Sequence, residues 1–306
     1  MAESKNVYHS NFFAMGTRMD VVIPLIDNEQ GDSIFNKIKT ETLRLEKKLS
    51  RFDAEGEIYK INQTAHLKPV AVDKELYSVL KKSMAYYQST MGYFDITTRP
   101  LLESYLKNTV DSEIEKLKEN LGFDNIDLKE DSVFLKNEII EFDLGGFGKG
   151  YALENIRKIL MDSQIKSAFI SFGESSILAF GKHPYGEHWG VGIKHLFEYE
   201  NVYSFKVVNQ SLSTSGITPS NQNKYGGRAH VINPKTGKTI NSNRTLSVVS
   251  DSALDSEILS TALMVCEEAE KKDIIKNFDV SEAIEIKYNS DHTYSCINLI
   301  QDYSNH

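Results

Sequence analysis

Apolar residues recur along this chain with two periods, close to two in some stretches and close to 3.6 in others, and the succession predicts strands and helices in alternation. Residues 12–25 read as a strand pair: Ala14-Met15-Gly16-Thr17 breaks the run ahead of Met19-Asp20-Val21-Val22-Ile23, and Pro24 ends it. Ile34, Ile38, Leu45 and Leu49 fall at helical spacing within residues 32–50, and Leu76, Val79, Leu80, Met84 and Tyr87 within residues 74–90. Each of these helices carries one apolar stripe, which places it against a core. Pro100 behind Thr97-Thr98 marks a helix that ends near Tyr105, with Asp95 as its cap, and residues 113–120 form a short charged helix. Val133-Phe134-Leu135 with Ile139-Ile140-Glu141-Phe142 reads as a hairpin, and a helix begins at about Tyr151 and runs through Ile156 and Leu160. A buried strand from Ser167 opens into the small-residue loop Gly173-Glu174-Ser175-Ser176, and further strands lie at residues 189–193 and 202–208. After Leu212-Ser213-Thr214-Ser215-Gly216 comes a polar loop, residues 217–228, and then His230-Val231-Ile232-Asn233-Pro234-Lys235-Thr236-Gly237. The last predicted helix, residues 253–268, carries Glu257 and Thr261 four apart and therefore on one face. No repeat, low-complexity tract or linker divides the chain, so residues 1–306 read as one unit.

Composition narrows the function. A chain of 306 residues, 40% of them hydrophobic, buries a sizeable core, and a net charge of −8 without any Lys/Arg block argues against nucleic acid as a partner. Cys266 and Cys296 lack metal-ligand spacing and read as ordinary core thiols. Residues 1–10 are polar and no apolar run reaches 18 residues, so no transmembrane segment is expected. As given, the chain reads as cytoplasmic; it would be periplasmic or membrane-anchored if a leader had been removed. The oligomeric state is not encoded in any pattern.

The chemistry concentrates in Glu141-Phe142-Asp143-Leu144-Gly145-Gly146-Phe147-Gly148-Lys149-Gly150-Tyr151-Ala152. Its predicted strand ends in an acid, turns through four glycines and a lysine, and becomes a helix. Glycine lets backbone approach a ligand closely, and a helix start aims N–H groups at an anion, so phosphate is the expected ligand. The turn is neither a P-loop nor a dinucleotide fingerprint: Asp143 stands where the P-loop's first Gly belongs and Gly150 where its hydroxyl belongs. Glu257 and Thr261 offer hard oxygen donors on one helix face, half of a Mg²⁺ site.

In this order and spacing, Ala14-Met15-Gly16-Thr17, Ser50-Arg51-Phe52-Asp53, Gly92-Tyr93-Phe94-Asp95-Ile96-Thr97, the glycine turn from Asp143 to Gly150, Thr214-Ser215-Gly216, the His230–Gly237 segment and Leu259-Ser260-Thr261-Ala262-Leu263 resemble the FAD:protein FMN transferases, the ApbE family. The match runs from about Phe12 to Val265. It implies an α/β (α+β) fold of two interleaved lobes of mixed sheet and helices around a flavin nucleotide cleft. It also implies a Mg²⁺-dependent reaction in which a Ser or Thr hydroxyl of an acceptor protein attacks the FMN-side phosphorus of FAD and AMP leaves. By position, Met15, Phe52, Tyr93, Phe94, Asp95, Asp143, Lys149 and Ile232 would line the FAD site. Gly146, through its carbonyl, Glu257 and Thr261 would hold the metal, and His230 and Lys149 would act in catalysis. Other functions within this resemblance are a FAD-binding protein, a FAD pyrophosphatase yielding FMN and AMP, and a non-catalytic flavin-binding scaffold.

The chain departs from the family pattern at three places. Glu257 stands where the family has Asp, one methylene longer at a site whose ion demands near-ideal octahedral geometry. Gly173-Glu174 replaces a Gly-Gly pair, adding a negative charge. Asn233 replaces the Asp of a His-x-x-Asp-Pro segment, keeping the turn and losing the charge.

Overall fold

The structure, a computed structural model, describes residues 6–107, 111–198, 200–216, 231–240, 243–289 and 291–304. Strands β1 (Val7–Ala14) and β2 (Thr17–Pro24) form a hairpin in register from Val7 opposite Pro24 to Ala14 opposite Thr17. Its two-residue turn is Met15-Gly16, at φ 51° and 76°, the left-handed pair that a type I′ turn requires. Glycine supplies that conformation freely; Met15 does not, and its N–H donates to the Glu46 carboxylate at 2.6 Å. The helix Asn28–Leu49 follows, capped by the Asp27 carboxylate accepting from the Gln30 N–H at 2.8 Å.

The chain then builds a second body before returning to the first. Helices Glu57–Thr64, Lys74–Ser89, Arg99–Leu106 and Asp111–Asn120 accompany a small sheet of β3 (Val70–Ala71), β4 (Ile126–Lys129) and β5 (Ser132–Leu135), in the order β3-β5-β4. The hairpin partner of β5 is therefore β4, and residues 139–142 are not a strand. Their backbone finds other partners: the Asn62 side-chain amide brackets Phe142, accepting from its N–H at 2.8 Å and donating to its carbonyl at 3.0 Å. The Asp143 N–H donates to the Ile96 carbonyl at 2.7 Å. An apolar run satisfied in this way mimics a buried strand in sequence.

The return brings the helix Gly148–Asp162, then β6 (Ala168–Phe172), β7 (Ser176–Phe180), β8 (Trp189–Lys194), β9 (Asn201–Val207), β10 (Gln210–Gly216), β11 (Arg244–Ser250), the helix Ala253–Val265, β12 (Val280–Tyr288) and β13 (Tyr294–Asn298). Eight strands join in one sheet in the order β1-β2-β6-β7-β10-β11-β12-β13, with antiparallel neighbours throughout. The fold is α+β. The helices Asn28–Leu49, Gly148–Asp162 and Ala253–Val265 share one continuous core with the inner face of β2 and β6 and with the second body. On the opposite face the β8–β9 hairpin sets Trp189, Val191, Ile193, Phe205 and Val207 against Ile177, Leu212, Val249 and Ile284. Cys266 is buried, but Cys296 is exposed on the edge strand β13, so only one of the two is a core thiol. No helix among the described residues is long and apolar enough to cross a membrane.

Candidate functional site

The glycine turn sits where the second body meets the helix layer. The Phe147 and Gly148 N–H groups both donate to the Leu144 carbonyl, at 2.9 and 2.8 Å, and the helix starts at Gly148, a turn earlier than the apolar pattern alone places it. Phe147 is wholly buried and anchors the turn against the rings of Tyr86 and Tyr151. At Gly150 the helix crosses Ala253–Val265 so closely that a Cβ would lie 2.9 Å from the Ala253 carbonyl oxygen and 3.0 Å from Glu257 Cβ. That crossing sets Lys149 beside Glu257.

Lys149 Nζ lies 2.9 Å from Glu257 Oε1 and donates to Ser176 Oγ at 2.6 Å and Ser175 Oγ at 3.3 Å. Glu257 Oε2 accepts from Ser176 Oγ at 2.5 Å and Ser213 Oγ at 3.0 Å. Glu257 is 4% exposed, so burial makes the carboxylate's cation and hydroxyl partners necessary. Thr261 Oγ1 donates to the Glu257 carbonyl at 3.1 Å and faces the same cavity. Asp255 points elsewhere, accepting from the Tyr86 hydroxyl at 2.7 Å.

This cavity, about 470 Å³, is also lined by Tyr93, Phe94, Asp95, Asp143, Gly146 and Ile232. Asp95 does not cap the helix Arg99–Leu106, whose N-cap is Thr98 without a side-chain bond. Its Oδ1 instead accepts from the Thr97 N–H and hydroxyl, both at 2.8 Å. Burial pushes its carboxyl up to about 6 against the pull of those bonds. Tyr93 donates its hydroxyl to Glu270, and burial with that carboxylate raises the phenol, keeping it protonated. Lys235 Nζ stands 3.9 Å over the Tyr93 ring and 3.0 Å from Glu270. Asp143 Oδ1 accepts from the Gly145 N–H at 2.9 Å, and Oδ2 lies 3.1 Å from Arg51 Nε.

Of the remaining expected residues, Met15 lines an adjoining groove of about 910 Å³ that shares Lys149, Ser175, Thr214 and Gly216 with the cavity. Phe52 lines neither; it is 77% exposed, its ring under the Arg51 guanidinium at 4.0 Å. His230 and the polar loop 217–228 lie outside the described residues. Asn233 keeps the turn: its Oδ1 accepts from the Lys235 and Thr236 N–H groups, and its Nδ2 donates to the Val265 carbonyl, a bond an Asp could not make. Glu174 sits on the groove rim, its charge met by Lys194 at 2.9 Å. Sequence reasoning did not single out Ser175, Ser176 and Ser213. Ser176, which opens the otherwise apolar buried strand β7, carried the available sign, because a buried hydroxyl needs a partner; Ser175 lies in the turn before it and β10 is mostly polar. No group of three or more His, Cys, Asp or Glu side chains placed to hold a metal occurs among the described residues.

A model of the ApbE family matches residues 15–284. The FAD:protein FMN transferase of Escherichia coli (strain K12) is 25% identical over 278 residues, 86% of this chain and 79% of that protein. That of Klebsiella pneumoniae (strain 342) is 26% identical over 270 residues, 84% of this chain and 82% of that protein. Among solved structures, the ApbE protein of Thermotoga maritima MSB8 superimposes with a TM-score of 0.80 at 23% identity, covering 97% of this chain and 99% of that one. The flavin transferase ApbE of Vibrio cholerae does so with 0.81 at 19% identity, covering 96% and 97%.

Proposed function

The chain belongs to the ApbE family, and from that premise we propose that it transfers the FMN half of FAD to a Ser or Thr hydroxyl of an acceptor protein, releasing AMP. The acceptor oxygen forms a bond to the FMN-side phosphorus as the bond from that phosphorus to the AMP oxygen breaks. Such a displacement needs positioning and charge neutralisation more than covalent help. The observation that carries the reading is the buried Lys149–Glu257 pair at the glycine turn, inside a cavity walled by the residues whose motifs resemble the FAD site.

In this reading Lys149 and the start of the helix Gly148–Asp162, which no side chain caps, face the pyrophosphate. Tyr93, Phe94, Asp95, Asp143 and Ile232 hold the nucleotide, with Met15 and Phe52 farther out. His230, placed by resemblance beside the acceptor hydroxyl, takes its proton. The donor set suits Mg²⁺: Glu257 supplies a carboxylate that must have a cation, Thr261 a hydroxyl and Gly146 a carbonyl, and substrate phosphates commonly complete such sites. Bound there, Mg²⁺ supplies neutralisation of the phosphoryl oxygens.

The test is to incubate the purified protein with FAD, Mg²⁺ and an acceptor protein bearing a Ser/Thr site, then view a denaturing gel under blue light and measure AMP. A fluorescent acceptor band with matching AMP is expected. AMP without the band marks a FAD pyrophosphatase, and neither product marks a flavin-binding scaffold; both overturn the proposal.

A further inference from the structure

The cation beside Glu257 is a side chain of the chain itself. Lys149 holds Oε1, while Ser176 and Ser213 hold Oε2. Those serines belong to β7 and β10, so the second oxygen is tied to the sheet and the first faces the ammonium. The buried carboxylate has its counter-charge at 2.9 Å, and removing one partner of a buried pair costs far more than exchanging it for another cation. Resting on the reading of the site as one that Mg²⁺ serves, we propose that Lys149 and the divalent cation exchange on Glu257 Oε1. Ser176 and Ser213 retain Oε2, and the extra methylene of Glu257 is what carries the carboxylate to them. Without the ion, Lys149 is locked; with it, the ammonium is freed into the cavity it lines, where a pyrophosphate would meet it. Ion and nucleotide then reinforce one another through one lysine, and Ser176 and Ser213 are positioning residues for Glu257.

The exchange is testable without flavin. In the wild-type protein, acetylation of Lys149 by an amine-reactive ester, located by mass spectrometry, is expected to rise when Mg²⁺ alone is added. Glu257→Gln should leave Lys149 reactive with or without Mg²⁺. Calorimetric titration should show Lys149→Met binding Mg²⁺ roughly tenfold more tightly than wild type, since a competing cation is gone. That variant leaves Glu257 unpaired and is open to misfolding, which is why the labelling in wild type is the primary readout. Mg²⁺ binding with Lys149 labelling unchanged, equal or weaker Mg²⁺ affinity in folded Lys149→Met, or no Mg²⁺ binding by wild type would each overturn the exchange. Neither readout contains FAD, so failure of FMN transfer in the gel assay bears on the proposed reaction alone.

Discussion

At the scale of the residue, Asp95 is a cavity acid whose surroundings raise its pKa. Its carboxyl moves from 3.8 to about 6 because burial penalises the anion more than the Thr97 bonds favour it. The native state therefore holds a proton that the unfolded chain gives up. The stability this contributes is complete below 3.8 and is lost as pH rises through about 6. A shift of two units corresponds to about 3 kcal/mol at most. Asp95→Asn keeps an oxygen for Thr97 and never ionises. Thermal unfolding should show it near wild type in stability at about pH 4 and more stable by up to about 3 kcal/mol above pH 7, the gap widening from about pH 4 and complete a little above pH 6. A gap that stays flat across this range would show that the Asp95 carboxyl is not held above its ordinary range.

Among the elements, the crossing at Gly150 fixes the site. A methyl group there meets the Ala253 carbonyl oxygen at 2.9 Å and the Leu254 Cα at 3.2 Å, both backbone of the facing helix, so the helices must part. Ala is the better helix former by roughly 1 kcal/mol, yet overpacking typically costs about 1–3 kcal/mol. Gly150→Ala should therefore lose stability in urea unfolding and loosen the Lys149–Glu257 pair; a neutral or stabilised variant would contradict the close crossing. This element was legible in sequence as a glycine turn before a helix, because Gly and Lys act locally. Its approach was not. Residues 139–142 have the apolar pattern of a strand, but their bonding is set by Asn62, 80 positions before Phe142. Strand β12 went unread although Ile284, Ile286 and Tyr288 alternate with Glu285 and Lys287; what the alternation does not reveal is that Glu285, on the other face, is fully buried as well. Phe52 matched a motif while its side chain faces solvent, since spacing does not reveal which way a loop residue turns.

For the whole molecule, stability and ligand binding are set at separate places. The helix Ala253–Val265 spans both: Glu257 and Thr261 line the cavity, and at its end Arg244 donates to the Met264 carbonyl at 2.6 Å. Arg244 also lies 3.0 Å from Glu285, whose other oxygen meets Lys271 at 2.6 Å; Lys271 and Glu285 are wholly buried. Neither lines the cavity. Orphaning one member of a buried pair costs about 3–5 kcal/mol; Lys271 keeps Glu268 at 3.0 Å and Arg244 keeps the Met264 carbonyl, so Glu285→Gln should lower the unfolding midpoint by less than that full cost. FAD, by contrast, would bridge the second body, through Tyr93 and Asp95, to the helix and sheet layers, through Lys149 and Glu257. Saturation with a hundredfold excess over Kd should add about 2.7 kcal/mol. Effects of distant, independent sites add. At one FAD concentration and saturating Mg²⁺ throughout, the increment from FAD should thus be as large in Glu285→Gln as in wild type, and smaller in Lys149→Met. A Glu285→Gln protein that folds but gains nothing from FAD would mean that the buried network and the cavity are one coupled unit, and that the nucleotide is held through the far end of the helix as well as through the glycine turn.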